Sequence, residues 1–262
     1  MLEITRYESK RRVRGAFLMT VGFVLLAGLY IGLFPSFAES SVEIEQYVQN
    51  LPESFRNAFS MNLGTIEGFL AVELYQFLWL LLFGVYVAYS GGGLVAADVE
   101  RGRMDLLLAA PVSRTRVVVE KYLSLLVPIV MANLLLPLAV WGGVRVIDET
   151  ISLPDLFATH LLSVPYLMVC AGVGLALSVL FDRADIAQRG GIAAIFGLFL
   201  VDTVSTDTDY EWLGVLSPTR YYDPAEVLVD GTYDVSGALI LLAGALALLL
   251  VSTIYFQRRD IN

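Results

Sequence analysis

The chain has 262 residues, of which 57% are hydrophobic, and a formal net charge of −9 at pH 7. Its mean hydropathy of +0.70 lies far from that of a soluble globular domain. No basic face exists beyond what membrane topology demands, which argues against nucleic-acid binding, and no stretch between the apolar runs is long enough to bury its own core.

Six apolar runs organise the chain, at 15–34, 77–97, 122–144, 161–181, 190–201 and 235–256. All but one are about 20 residues or longer, enough to cross roughly 30 Å of hydrocarbon at 1.5 Å per residue. The run 190–201 is too short to be read as a span unaided. The basic residues settle its status. If all six runs cross and the N-terminus is cytoplasmic, every Lys and Arg lies inside except Arg56, Arg145 and Arg220. Cytoplasmic loops carry the Lys/Arg excess in membrane proteins. The fifth helix is therefore extended back to about Ala184, with Asp185, Gln188 and Arg189 at its cytoplasmic end. The expected fold is an all-α membrane protein forming a single domain over residues 1–262. Its spans fall at about 15–34, 74–97, 122–144, 161–181, 184–203 and 235–256, with external loops at 35–73, 145–160 and 204–234.

Along the chain, residues 1–14 interleave Leu2, Ile4, Tyr7 and Val13 with Arg6, Lys10, Arg11, Arg12 and Arg14. This pattern reads as a short amphipathic helix on the inner leaflet, its basic face toward anionic head groups; a plain basic topology anchor is the simpler alternative. Ser36-Phe37-Ala38 imitates a signal-cleavage site, but the preceding apolar run exceeds the h-region length of about 7–15 residues. A retained first helix is expected. In the first external loop, Tyr47, Leu51, Phe55 and Phe59 recur at helical spacing and read as one apolar stripe.

The first cytoplasmic loop carries more information. Met104–Ala110 reads as a short helix stopped by Pro111, and Ser113 is placed to cap the helix that leads into the third span. A charged helical elbow projecting from the bilayer is the expectation. Pro128, Pro137 and Pro165 are candidate kinks in the third and fourth spans. The lone His160 and lone Cys170 lack the companions a metal site requires. His160 reads as interfacial or structural, and Cys170 as a small buried apolar residue. The third external loop holds Tyr210, Trp212, Tyr221 and Tyr222, suited to interfacial or re-entrant segments broken at Pro218 and Pro224. The external loops also concentrate the acidic residues. Two readings stand: a cation-attracting mouth, or a solvated acidic surface of the kind found in a salt-loving prokaryote such as a haloarchaeon. Small residues such as Gly91-Gly92-Gly93, Gly172 and Gly174 permit close helix approach.

No G-x-x-x-x-G-K-S/T phosphate loop, H-E-x-x-H or G-x-S-x-G occurs. Ionisable residues deep in the spans are nearly absent, leaving Asn133 and hydroxyls such as Ser163. That argues against intramembrane catalysis and against an ion-coupled carrier.

The run Glu100-Arg101-Gly102-x-x-Asp105-Leu106-Leu107-Leu108-Ala109-x-Pro111-Val112-Ser113-Arg114, followed by Lys121, resembles the cytoplasmic signature of ABC-2 type transporter permeases. The segments Leu216-Ser217-Pro218-x-x-Tyr221-Tyr222-Asp223-Pro224, Phe256-x-Arg258-Arg259-Asp260-Ile261 and Leu51-Pro52-Glu53 are similar to that family's as well. Arg103 departs from the pattern, where the family often has threonine. The resemblance implies a multi-pass plasma-membrane permease, an exporter by family habit, paired with a second permease subunit as homo- or heterodimer. Two copies of a separate ABC ATPase would supply the energy. ATP and magnesium would belong to that partner, and this chain would carry no cofactor. By motif, the ATPase-contacting loop would comprise Glu100, Arg101, Gly102, Met104, Asp105, Leu106, Pro111, Ser113 and Arg114, and residues 1–14 would be the family's interfacial elbow helix. The contrasting readings are an ATP-independent carrier or channel, and an integral membrane assembly factor.

Overall fold

The computed structural model describes residues 3–48, 64–109, 111–206 and 208–259. Among them helices account for all regular structure, and six are long and apolar enough to cross a membrane. The chain is a multi-pass membrane protein.

Helix α1 (Glu3–Val48) runs unbroken for 46 residues, about 69 Å at the helical rise. The amphipathic start and the first span are thus one helix rather than an elbow followed by a span. Gly15, the one weak point between them, meets nothing within 4 Å and is simply carried through the helix. The helix also continues past Pro35. Three of the four stripe residues expected in the following loop, Leu51, Phe55 and Phe59, lie outside the described residues.

The second span, α2 (Ile66–Gly92), starts earlier than its apolar run. Thr65 supplies the N-cap, its hydroxyl accepting from the Gly68 amide at 3.2 Å. Between Ala71 and Phe83 the helix is π-wound. Wide winding leaves carbonyls off the regular ladder, and the Tyr166 hydroxyl donates to one of them, that of Leu80, at 3.0 Å. Two short helices follow, α3 (Ala96–Glu100) and α4 (Arg103–Ala109). The third span is α5 (Arg114–Leu123) and α6 (Leu126–Val146), separated by a turn at Ser124 and Leu125 just before Pro128. Spans four and five are α7 (Leu153–Leu180) and α8 (Ala184–Ser205). Two 3₁₀ turns, Glu211–Leu216 and Pro218–Tyr221, and a short helix α9 (Pro224–Leu228) lead to the last span, α10 (Val235–Arg258).

Helix α7 is the centre of the bundle, packed on α2, α6, α8 and α10. Small residues set its distance from α2. A side chain at Gly174 would fall on the Ala88 carbonyl oxygen, and one at Gly91 on the Ala171 carbonyl oxygen. Such backbone-to-backbone contact yields dense packing where lipid provides no hydrophobic drive between helices. Around it lie the fully buried Trp79, Tyr75, Phe83, Tyr122 and Tyr166. A polar thread crosses this core: Trp79 Nε1 donates to Ser163 Oγ at 2.9 Å, and Ser163 Oγ to Asn133 Oδ1 at 3.2 Å. His160 is part of the same layer, 1% exposed, edge-on to both Tyr75 and Trp79, with Nε2 3.2 Å from the Tyr75 hydroxyl. It is a structural core residue.

Candidate functional site

The helical elbow forms at the basic end of the bundle. Its turn rests on Gly102, whose φ of +64° is a conformation that side-chain-bearing residues avoid. Open space surrounds this glycine, so backbone geometry alone selects it. The turn projects Arg101 and Gly102 into the open, and α4 adds Asp105 and Leu106. Leu106 is 75% exposed, a large apolar side chain at a tip that nothing in this chain covers among the described residues. Met104, by contrast, is fully buried and pins α4 to the bundle.

Other members of the motif hold the elbow in place. Glu100 Oε2 accepts the Ala184 amide at 3.2 Å and so caps the start of α8. Ser113 caps α5, its hydroxyl accepting from the Arg116 amide at 3.2 Å, two residues past the exposed Pro111. The amides of Val95 and Ala96, at the start of α3, share the Ser178 hydroxyl of α7 at 2.9 Å each. Arg114 turns inward. It donates to the carbonyls of Phe256, at 3.2 Å, and Arg259 at the end of α10, and its guanidinium lies over the Phe256 ring. Gln257 Nε2 donates to Thr115 Oγ1 at 2.5 Å. Arg259 in turn donates to the Val179 carbonyl and pairs with Asp182 just past α7. The ends of α5, α7 and α10 are thereby clamped together.

Beneath the elbow lies a charge cluster that sequence reading did not assemble. Lys121 Nζ, on α5, binds Asp98 of α3 at 2.5 Å and Glu8 of α1 at 3.2 Å. Arg103, at the start of α4, binds the other oxygen of Asp98 at 2.8 Å. The Lys121, Asp98 and Glu8 side chains are only 3%, 8% and 11% exposed. Next to it, Glu120 accepts the free amides of Ile4 and Thr5 at 2.9 and 3.0 Å, capping α1 from over a hundred residues away. Arg116 neutralises the same carboxylate at 2.5 Å. A groove of about 400 Å³ opens between α1 and α4, its walls including Ile4, Tyr7, Leu106 and Leu107 beside this cluster. The available signal was Lys121 itself, a cation at the threshold of the third apolar run, where an unpaired buried charge is not tolerated.

The opposite, acidic end holds a cavity of about 750 Å³ reaching from Leu80 and Phe199 to the acidic residues Asp202, Glu211, Asp223, Glu226 and Asp234. Arg220, also in its wall, is paired with Glu211 at 2.5 Å. Desolvation, then repulsion from neighbouring carboxylates, pushes the Asp223 and Glu226 carboxyls above their ordinary range. Tyr222 ties this region to the bundle through a bond to the Thr159 carbonyl at 2.6 Å.

Six spans, a projecting helical elbow and an ion-paired brace beneath it make up a multi-pass helical membrane protein. The family model described as ABC-2 family transporter protein matches residues 2–261, and the chain belongs to that family. It is thus a membrane component of a transporter. No curated protein matches the chain.

Proposed function

We propose that this chain is the permease subunit of an ATP-binding-cassette exporter driven by a separate ATPase. One observation supports this above others: an exposed apolar and charged tip, Arg101, Asp105 and Leu106, stands on a rigidly braced elbow. The elbow is the docking knob for two ATPase copies across a pair of permeases, homo- or heterodimeric. ATP and magnesium belong to the ATPase, and residues 1–262 act as one transmembrane domain. Within the motif the roles divide. Arg101, Gly102, Asp105 and Leu106 offer contact surface, while Glu100, Met104, Ser113 and Arg114 fix the elbow's shape, with Pro111 ending its helix. Closure of the ATPases pushes the elbow, and the brace passes that push to α1 and α5 as a rigid-body movement. The elbow end faces the cytoplasm, and the acidic end faces a salt-rich exterior such as a haloarchaeon meets.

The test is affinity purification from native membranes in mild detergent and high salt, followed by mass spectrometry. A near-stoichiometric soluble protein with a G-x-x-x-x-G-K-S/T loop is the expected companion. Arg101→Glu and Leu106→Glu are expected to lose it while inserting normally. A chain that purifies alone and transports in liposomes without ATP overturns the proposal.

A further inference from the structure

The two arginines at the end of α10 are used differently. Arg259 is spent inside the protein, on the Val179 carbonyl and Asp182. Arg258 is exposed and meets no acceptor among the described residues. It stands at one end of a groove of about 430 Å³ formed with Val251, Ile254, Tyr255 and Arg259. Residues 251, 254, 255 and 258 follow the i, i+3, i+4, i+7 spacing that puts them on one helix face. That face is exposed on a span whose apolar window is only 28% buried, so it borders hydrocarbon. The apolar floor therefore lies at acyl-chain depth, with the exposed Arg258 guanidinium where the span ends.

We propose that this groove is a binding site for an anionic phospholipid. Arg258 takes the phosphate through parallel N–H bonds, a geometry that suits guanidinium and phosphate oxygens. Tyr255, its ring against the chains and its hydroxyl toward the head group, marks the interface. One acyl chain follows Ile254 and Val251. A zwitterionic lipid brings its own ammonium to the phosphate, so a net negative head group is preferred over it. The site lies on the opposite end of the sequence from the basic N-terminal segment. It requires only that the chain be embedded in a bilayer, and does not depend on the coupling role of the elbow.

Native mass spectrometry of the purified chain, with phosphatidylglycerol or phosphatidylcholine added, tests it. The wild type is expected to keep one phosphatidylglycerol under activation that strips phosphatidylcholine. Arg258→Gln should lower that retention about tenfold, the loss of one charge-assisted contact. Arg183→Gln, an exposed arginine elsewhere at the basic end, should leave it unchanged. Phosphatidylglycerol should raise the melting temperature of the wild type but not of Arg258→Gln, and inorganic phosphate should raise neither. The site is refuted by equal retention of the two lipids, by a preference that survives Arg258→Gln, or by the same stabilisation from inorganic phosphate. A variant that dissociates a dimer while keeping its lipid would instead assign the face to a second copy.

Discussion

Lys121 carries a single positive charge between two carboxylates from distant parts of the chain, Glu8 and Asp98. Removing it leaves Asp98 with only the partly exposed Arg103, and Glu8 with only the partly exposed Arg11 at 3.6 Å. Breaking a buried pair outright typically costs about 3–5 kcal/mol, and these remaining cations offset part of that. Lys121→Met is therefore expected to lower the melting temperature sharply in detergent, and Lys121→Met with Asp98→Asn to recover part of the loss. An unchanged melting curve for the single variant would show that the cluster is not buried in the membrane-embedded protein. Gly102 tests the other half of the elbow. Since its surroundings are empty, Gly102→Ala feels only the cost of a positive φ, about 1–2 kcal/mol. Gly102→Asn, which tolerates that region better, should cost less in the same assay.

At the scale of elements, the contact of α2 with α7 is fixed by glycines. Gly174→Leu would drive a side chain into the Ala88 backbone, and neither helix can yield without moving its neighbours. The variant is expected to insert but to aggregate on size-exclusion chromatography, whereas Gly28→Leu, at a position with open space around it, should remain monodisperse. How much of this was legible beforehand differs by element. Apolar length and basic asymmetry give the six spans, and Pro111 with Ser113 gives the elbow's limits, because hydropathy and capping are local properties. The early start at Ile66 is local, set by the Thr65 cap, but the π-winding of Ala71–Phe83 and the union of the basic start with the first span are not. They depend on distant partners: Tyr166 for the Leu80 carbonyl and Glu120 for the amides of Ile4 and Thr5. Of the elbow residues, sequence alone could not separate Arg101, which faces outward, from Arg114, which grips the end of α10.

For the whole molecule, charge is divided between two ends, and the acidic end is expected to respond to pH. Asp223 and Glu226 have carboxyls raised above their ordinary range in the folded state, first by desolvation and then by like-charged neighbours. The folded form thus holds their protons more tightly than the unfolded form. The stability this contributes is fully present below the ordinary carboxylate range and is lost as pH rises through the raised values. Resistance to proteolysis within 208–234 should therefore decline as pH climbs above that range, and high salt should blunt the decline by screening the repulsion. Asp223→Asn with Glu226→Gln should flatten the profile; a profile that steepens or persists in that variant would assign the effect elsewhere. The clamp at the basic end has a consequence in time. Arg114 must wait for Phe256, a partner 142 residues further along. At about 5–20 residues per second of synthesis, that is a delay of roughly 7–28 s. For most of it the third span is already made while its guanidinium lacks this partner, and once Val179 is made its carbonyl waits for Arg259 as well. The nascent protein passes through a long unlatched stage, when insertion machinery or chaperones have their best hold on it, and synthesis of the α10 terminus ends that stage.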